Sequence, residues 1–222
     1  DGLEVSKVAI AWANTEYGKG GHDAFVDVAK EMGLEVVSDV PSEQGQADFS
    51  ADILKIKNTG AEAVFIYLTE EESARFLIEA KKQGLTIPMI GDTVLASQKV
   101  IDLSGGAAEG ALGHVALSAD APVPLLQAMS AKFTERFGYR PDHNAIKGYI
   151  GAYAIKYGTE IVGEADSQKL TDALHGTCLD AATYPGVLMD ICWDETGEVS
   201  RESFMVEVKN GAQEITTILP PN

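Results

Sequence analysis

Apolar, β-rich runs recur at a nearly regular interval through the first part of the chain: Val8-Ala9-Ile10-Ala11-Trp12, Leu34-Glu35-Val36-Val37, Ala63-Val64-Phe65-Ile66-Tyr67 and Ile87-Pro88-Met89-Ile90. The interval suits a strand followed by a crossover helix. Between the runs the apolar positions change to a helical period. Phe25, Val28, Ala29 and Met32 fall at i, i+3, i+4 and i+7, Phe49, Ile53 and Ile56 at i, i+4 and i+7, and Ala74, Leu77 and Ile78 line a third face. Gly33, Gly60 and Gly84 follow these stretches, where a helix C-terminus favours a left-handed residue. Asp48 is placed to cap the second helix, and Thr69-Glu70-Glu71-Glu72 reads as a capping box. Residues 5 to about 93 are therefore predicted as a βαβαβαβ run, which builds a parallel sheet with right-handed crossovers.

After Thr93 the beat breaks. A short helix is predicted from Ser97 to Leu103, followed by the small-residue stretch Gly105 to Gly110 and an apolar run from Leu112 to Leu117. The segment Ser118-Ala119-Asp120-Ala121-Pro122 reads as a crossover between lobes. Two longer helices follow. Leu126, Met129, Phe133 and Phe137 stripe the first, which Gly138 ends, and Ile146, Tyr149, Ile150, Tyr153, Tyr157 and Ile161 stripe the second. A third helix spans about Ser167 to Leu174. Val187 to Trp193 reads as a strand, Asp194-Glu195-Thr196-Gly197 as a turn, and Phe204 to Val208 with Glu214 to Ile218 as a hairpin about Asn210-Gly211. The middle helices have no parallel strands of their own to cover.

Charge narrows the partners. The formal net charge of −17 repels phosphate backbones and anionic headgroups, so nucleic acid is not an expected partner. Cys178 and Cys192 are too few for a disulfide scaffold and show no zinc spacing. An exported location permits a disulfide between them; two buried thiols are the alternative.

No enzyme constellation emerges. The loop after the first strand reads Asn14-Thr15-Glu16-Tyr17-Gly18-Lys19-Gly20-Gly21, with its glycines one turn into the helix instead of in the strand–helix turn, so it is a poor dinucleotide loop. GxSxG and GxxxxGK[ST] are absent, and His22, His114, His143 and His175 are scattered. Glu70, Glu71 and Glu72 suit a helix N-terminus better than a metal. No cofactor and no metal is expected. What remains is positional, because ligands of open α/β sheets bind outside the carboxyl ends of the strands. Those ends carry Asn14 to Tyr17, Leu68 to Glu70 and Gly91 to Thr93, a set suited to a small polar or zwitterionic ligand.

The order of several short motifs resembles the second lobe of leucine/isoleucine/valine-binding proteins. They are Val8-Ala9-Ile10 with Glu16-Tyr17-Gly18-Lys19-Gly20, Ala47-Asp48-Phe49-Ser50 before Ile53 and Ile56, and Gly60-Ala61-Glu62-Ala63-Val64-Phe65. Gly84-Leu85 before Pro88-Met89-Ile90-Gly91, Ala107-Ala108-Glu109-Gly110 and Trp193-Asp194-Glu195-Thr196-Gly197 continue it. The resemblance implies the type I periplasmic binding protein fold, a doubly wound α/β architecture with a ligand trapped between two lobes. It implies residues 1–117 as the second lobe, 118–190 as helices and a strand completing the first, and 191–222 as terminal strands returning to the second. It also implies that a lobe-sized N-terminal piece of about 120 residues is missing.

The implied function is that of a periplasmic solute-binding component, not an enzyme, delivering a small amino acid of branched-chain type or a related carboxylate to ABC permease subunits. A ligand-sensing receptor domain of the same fold, or a binder of aromatic acids, is the alternative. Among site positions, Tyr17 matches a cleft-lining tyrosine, while Thr69 or Glu70 falls on a strand-end tyrosine of the family, so an aromatic is expected to be lost there. Asp92 or Thr93 falls where an acidic residue meets the ligand ammonium group.

Overall fold

A computed structural model describes residues 4–221. The chain divides into two compact units, one of residues 1–115 and 205–216, the other of 116–204 and 217–222.

The first unit carries the predicted alternation. Its elements are β1 (Lys7–Ala13), α1 (Glu16–Glu31), β2 (Glu35–Ser42), α2 (Ser50–Lys57), β3 (Ala63–Tyr67), α3 (Glu70–Lys82), β4 (Met89–Gly91), α4 (Gln98–Leu103) and β5 (Leu112–Val115). β1 pairs in parallel with β2 and β3, β3 with β4, and β4 with β5. The strand and helix beat thus continues one unit beyond Thr93, with α4 as its crossover. Strand order through these five is β5-β4-β3-β1-β2. The order reverses direction between β1 and β3, which makes that junction a topological switch point, where doubly wound sheets open a crevice.

The core follows from the apolar pattern with one systematic displacement. Phe49, Ile53 and Ile56 of the second helical stretch are all buried, and Phe49 meets Phe76 edge to face at 5.7 Å. However, Val28 of α1 and Met32 at its C-cap are exposed, and the seam runs through Gly18, Gly21, Phe25 and Ala29. A hydrophobicity scale counts glycine as empty, yet bare backbone allows the closest approach of helix to sheet. The face is therefore rotated from its apolar centre. Ile78 on α3 is exposed in the same way, with Ala74, Phe76, Leu77 and Ala80 taking the core.

Caps agree with the sequence except at one helix. Gly33, Gly60 and Gly84 have φ of +72°, +70° and +67°. Thr69 and Glu72 form the capping box, the Glu72 carboxylate accepting from the Thr69 N–H at 3.3 Å. Asp48 does not occupy the N-cap of α2. That position is Phe49, and Asp48 accepts from the Ser50 N–H at 2.8 Å one residue further out, because burying the Phe49 ring sets the start of the helix.

In the second unit, α5 (Pro124–Phe137), α6 (His143–Val162) and α7 (Ser167–Leu174) are followed by β6 (Cys178–Leu179), β7 (Ile191–Trp193) and β8 (Val199–Ser200). These strands form a small antiparallel sheet in the order β6-β7-β8. Leu126, Met129, Ile146, Ile150, Ala154 and Tyr157 are buried, whereas Phe137 and Ile161, expected in the same stripes, are exposed.

The strand predicted from Val187 to Trp193 is shorter than its apolar run. Pro185–Val187 is a single 3-10 turn and Leu188 has a φ of 65°. The Gly186 N–H donates to the Tyr157 hydroxyl at 3.0 Å, and a side chain at Gly186 would overlap the Tyr153 ring, so the chain bends over these tyrosines before β7 begins. Cys178 and Cys192 face each other across β6 and β7 and are joined in a disulfide. The sequence left that pairing open; the strand register brings the two sulfurs together.

The last strands, β9 (Ser203–Lys209) and β10 (Ala212–Leu219), extend the large sheet beyond β5 to seven strands in the order β10-β9-β5-β4-β3-β1-β2. Asn210 and Gly211 join them with φ of 53° and 75°, the two left-handed residues of the predicted tight hairpin. Gly211→Ala should cost about 1 kcal/mol, the penalty of a side chain in left-handed backbone. A urea denaturation midpoint would measure it.

Candidate functional site at the carboxyl edge of the large sheet

The site is assembled by the loops that leave β1, β3 and β4. Thr15 ends the first of these loops as N-cap of α1, its hydroxyl accepting from the Gly18 N–H at 3.3 Å. Tyr17 therefore stands in the first helical turn. Gly18 is buried against β1, where a Cβ would lie 1.8 Å from the Ala13 carbonyl oxygen. Gly21, one turn on, leaves room for the Tyr67 ring, which a Cβ would overlap at 2.4 Å. These glycines thus seat the helix on the sheet and leave space for an aromatic ring.

Tyr67 ends β3 and stacks on Tyr17, with ring centroids 4.5 Å apart and an interplanar angle of 24°. Behind it, Phe65 continues the same strand face and stacks on Phe25 at 4.4 Å. The Tyr17 hydroxyl donates to Asp92 Oδ2 at 2.8 Å, and Asp92 Oδ1 accepts from the Val94 N–H at 3.0 Å. Asp92 is in turn fixed in position just after β4. Burial, followed by the charge and hydrogen bond of Asp92, pushes the Tyr17 phenol well above its ordinary range. Burial and the Asp92 charge raise Tyr67 as well, partly offset by its hydrogen bond with Tyr17. Both rings stay neutral phenols across the physiological range.

Of the residues predicted for the site, Tyr17 and Asp92 are in direct contact. Thr69 is committed to the N-cap of α3. Glu70 pairs with Lys99 of α4 at 2.8 Å, and Glu71 shares that ammonium at 2.8 Å. Thr93 lies half-buried beside Asp92 in sequence. At the end of β3, two residues before Thr69, Tyr67 places an aromatic ring in the group. Its signal was the period-two alternation of β3, which puts Phe65 and Tyr67 on one face.

A carboxylate beside two aromatic faces attracts a cation by charge and by the ring quadrupoles. Tyr17, 41% accessible as a residue, keeps the group open to a solute. Among the described residues, no three His, Cys, Asp or Glu side chains gather as a metal site, and no helix is long and apolar enough to cross a membrane.

A family model described as periplasmic binding protein matches residues 2–213. The chain belongs to this family. Its fold is that of the type I periplasmic binding proteins, as the resemblance of its motifs implied. Members are solute-binding transport components located outside the cytoplasm. Among relatives, the chain is similar to Leu/Ile/Val-binding protein homolog 1 of Brucella melitensis, 24% identical over 201 residues that cover 89% of this chain and 52% of the relative. Among solved structures, it is similar to the leucine binding protein LivK of Thermotoga maritima, with a TM-score of 0.86, 22% identity, and coverage of 99% of this chain and 62% of that one. A solute binding protein of an ABC transporter from Rhodopseudomonas palustris, in complex with 3,4-dihydroxybenzoic acid, matches with a TM-score of 0.79, 21% identity, and coverage of 99% and 61%. The chain spans about half the length of the curated relatives it matches.

Proposed function

We propose that this chain belongs to an extracytoplasmic solute-binding component of an ABC transporter that carries a small amino acid of branched-chain type and catalyses nothing. The observation that carries the reading is the Tyr17–Tyr67–Asp92 group at the β1/β3 switch point. Asp92 supplies the charge that an ammonium group needs, and the two rings supply apolar and quadrupolar surface around it. Names of relatives point the same way. The Cys178–Cys192 disulfide suits an oxidising compartment such as the periplasm. Delivery to membrane permease subunits follows from the family role, with closure on ligand as a population shift toward the form that binds it better.

The stacked tyrosines favour a second reading, an aromatic acid lying against Tyr17, as the dihydroxybenzoate-bound relative suggests. Ligand charge separates the two. Isothermal titration with L-leucine, L-alanine and 4-hydroxybenzoate should give heat with the amino acids and none with the benzoate, because a benzoate offers Asp92 no cation. Binding of the benzoate alone would install the second reading, and silence with all three would overturn both.

A further inference from the structure

One turn beyond Tyr17, α1 presents His22 to the sheet. Its Nδ1 lies 2.9 Å from Asp23 Oδ1 and its Nε2 lies 3.0 Å from Asp39 Oδ2 on β2. Ionised carboxylate oxygens only accept hydrogen bonds, so each ring nitrogen must donate, and only the imidazolium carries a proton on both. The ring also lies 4.5 Å from the Trp12 indole, centroid to centroid, an arrangement that favours a cation over the π face. Trp12 Nε1 donates to Asp39 Oδ1 at 2.7 Å, so both oxygens of Asp39 are engaged and the carboxylate is fixed. The His22 side chain is 17% exposed.

The charged groups around it come from every neighbouring element. On α1 they are Asp23, itself paired with Lys19. On β2 there is Asp39, and from α2 the Lys55 ammonium donates to the Asp39 backbone carbonyl at 2.6 Å. β1 contributes the neutral indole. The two carboxylates are the groups in direct contact with the imidazole, and the two lysines are each engaged with an aspartate of the network.

We propose that His22, doubly protonated between Asp23 and Asp39, is a positioning residue: a proton-dependent clip that seats α1 on β2 and so holds Tyr17 against Tyr67 and Asp92. The contacts along α1 form one row, Tyr17 on Tyr67, Gly21 beneath the Tyr67 ring, His22 on Trp12 and Phe25 on Phe65. Releasing His22 frees the middle of that row from its only charged tie to β2 among the described contacts. The ligand consequence rests on the functional reading above; the clip itself does not.

Burial opposes the charge on His22, and the hydrogen bonds and charges of Asp23 and Asp39 together outweigh it, leaving the imidazole above its ordinary value. A group raised in the folded state stabilises most where the unfolded chain is also protonated. The clip is therefore at full strength below about pH 6.5 and fades as pH rises through the elevated folded value.

Long-range proton–nitrogen spectra of the histidines across a pH series test this directly. At neutral pH both His22 nitrogens should be protonated, the titration midpoint should lie above about 6.5, and the Tyr17 ring resonances should move with the same midpoint. His22→Gln should abolish that movement of Tyr17, and Asp39→Asn, which keeps the imidazole, should bring the His22 midpoint down. A neutral His22 at neutral pH, or Tyr17 signals indifferent to its titration, would overturn the clip. With L-leucine as probe, affinity should fall by about threefold or more between about pH 6 and about pH 8.5, and His22→Gln should flatten the profile. A profile equally steep in His22→Gln would refute the positioning role. Loss of all leucine binding beside an intact coupled titration would instead refute the amino-acid reading and leave the clip standing.

Discussion

Asp92→Asn should weaken binding of L-leucine by about 30-fold to 5,000-fold, the equivalent of about 2–5 kcal/mol for removing one member of a desolvated, hydrogen-bonded charge pair. Asparagine keeps the shape of the side chain: its Oδ1 can still accept from the Val94 N–H while its Nδ2 donates to the Tyr17 hydroxyl, which turns from donor to acceptor, so the main loss is the charge. Tyr17→Phe tests the adjoining link. It keeps the ring stacked on Tyr67 and deletes the hydroxyl that holds Asp92 Oδ2, so its effect should be smaller, about 1.5–3 kcal/mol for a hydrogen bond to a charged group. Titration calorimetry measures both, with the urea midpoint of each variant as a control that the fold is intact. Undiminished leucine affinity in Asp92→Asn would remove Asp92 from the site.

The parallel alternation was legible because each strand, crossover and left-handed cap glycine announces itself locally. The apolar runs near Val8, Val36, Val64 and Met89 all became strands of one sheet, and Gly33, Gly60 and Gly84 all took positive φ. Two-residue strands such as β6 and β8 are too short to show an alternation, so of the small sheet only β7, within the Val187–Trp193 run, and the turn at Asp194 were visible. The disulfide depended on the same unseen register.

At the site, Tyr17 and Asp92 could be picked out because they follow strands whose ends were plain. Tyr67 escaped because it is the last residue of the apolar run that forms β3, where an aromatic reads as core. Its role comes from the switch point between β1 and β3, a property of strand order that no local pattern encodes. His22 escaped for a related reason. A single histidine in a helix has no motif, and its two carboxylate partners come from different elements, one of them seventeen residues away.

Gly18→Ala should destabilise the first unit at or beyond the top of the ~1–3 kcal/mol range of ordinary overpacking. The added Cβ would lie 1.8 Å from the Ala13 carbonyl oxygen, 2.7 Å from its carbonyl carbon and 2.9 Å from its nitrogen. These are backbone atoms of β1, which cannot swing aside as a side chain can, so the first turn of α1 must lift from the sheet. Tyr17 is the preceding residue and would move with it, which couples the loss of stability to loss of the Tyr17–Asp92 hydrogen bond. Gly20 supplies the control on the same turn. A Cβ there meets nothing within 4 Å, so Gly20→Ala should instead stabilise by about 0.8–1 kcal/mol through helix propensity alone. Urea titrations followed by Trp12 fluorescence in a Trp193→Phe background report on the first unit. Opposite shifts of the midpoint for two Gly→Ala changes two residues apart are the expected result. Equal shifts would mean that α1 does not rest on β1 through Gly18, and the position of Tyr17 would lose its physical basis.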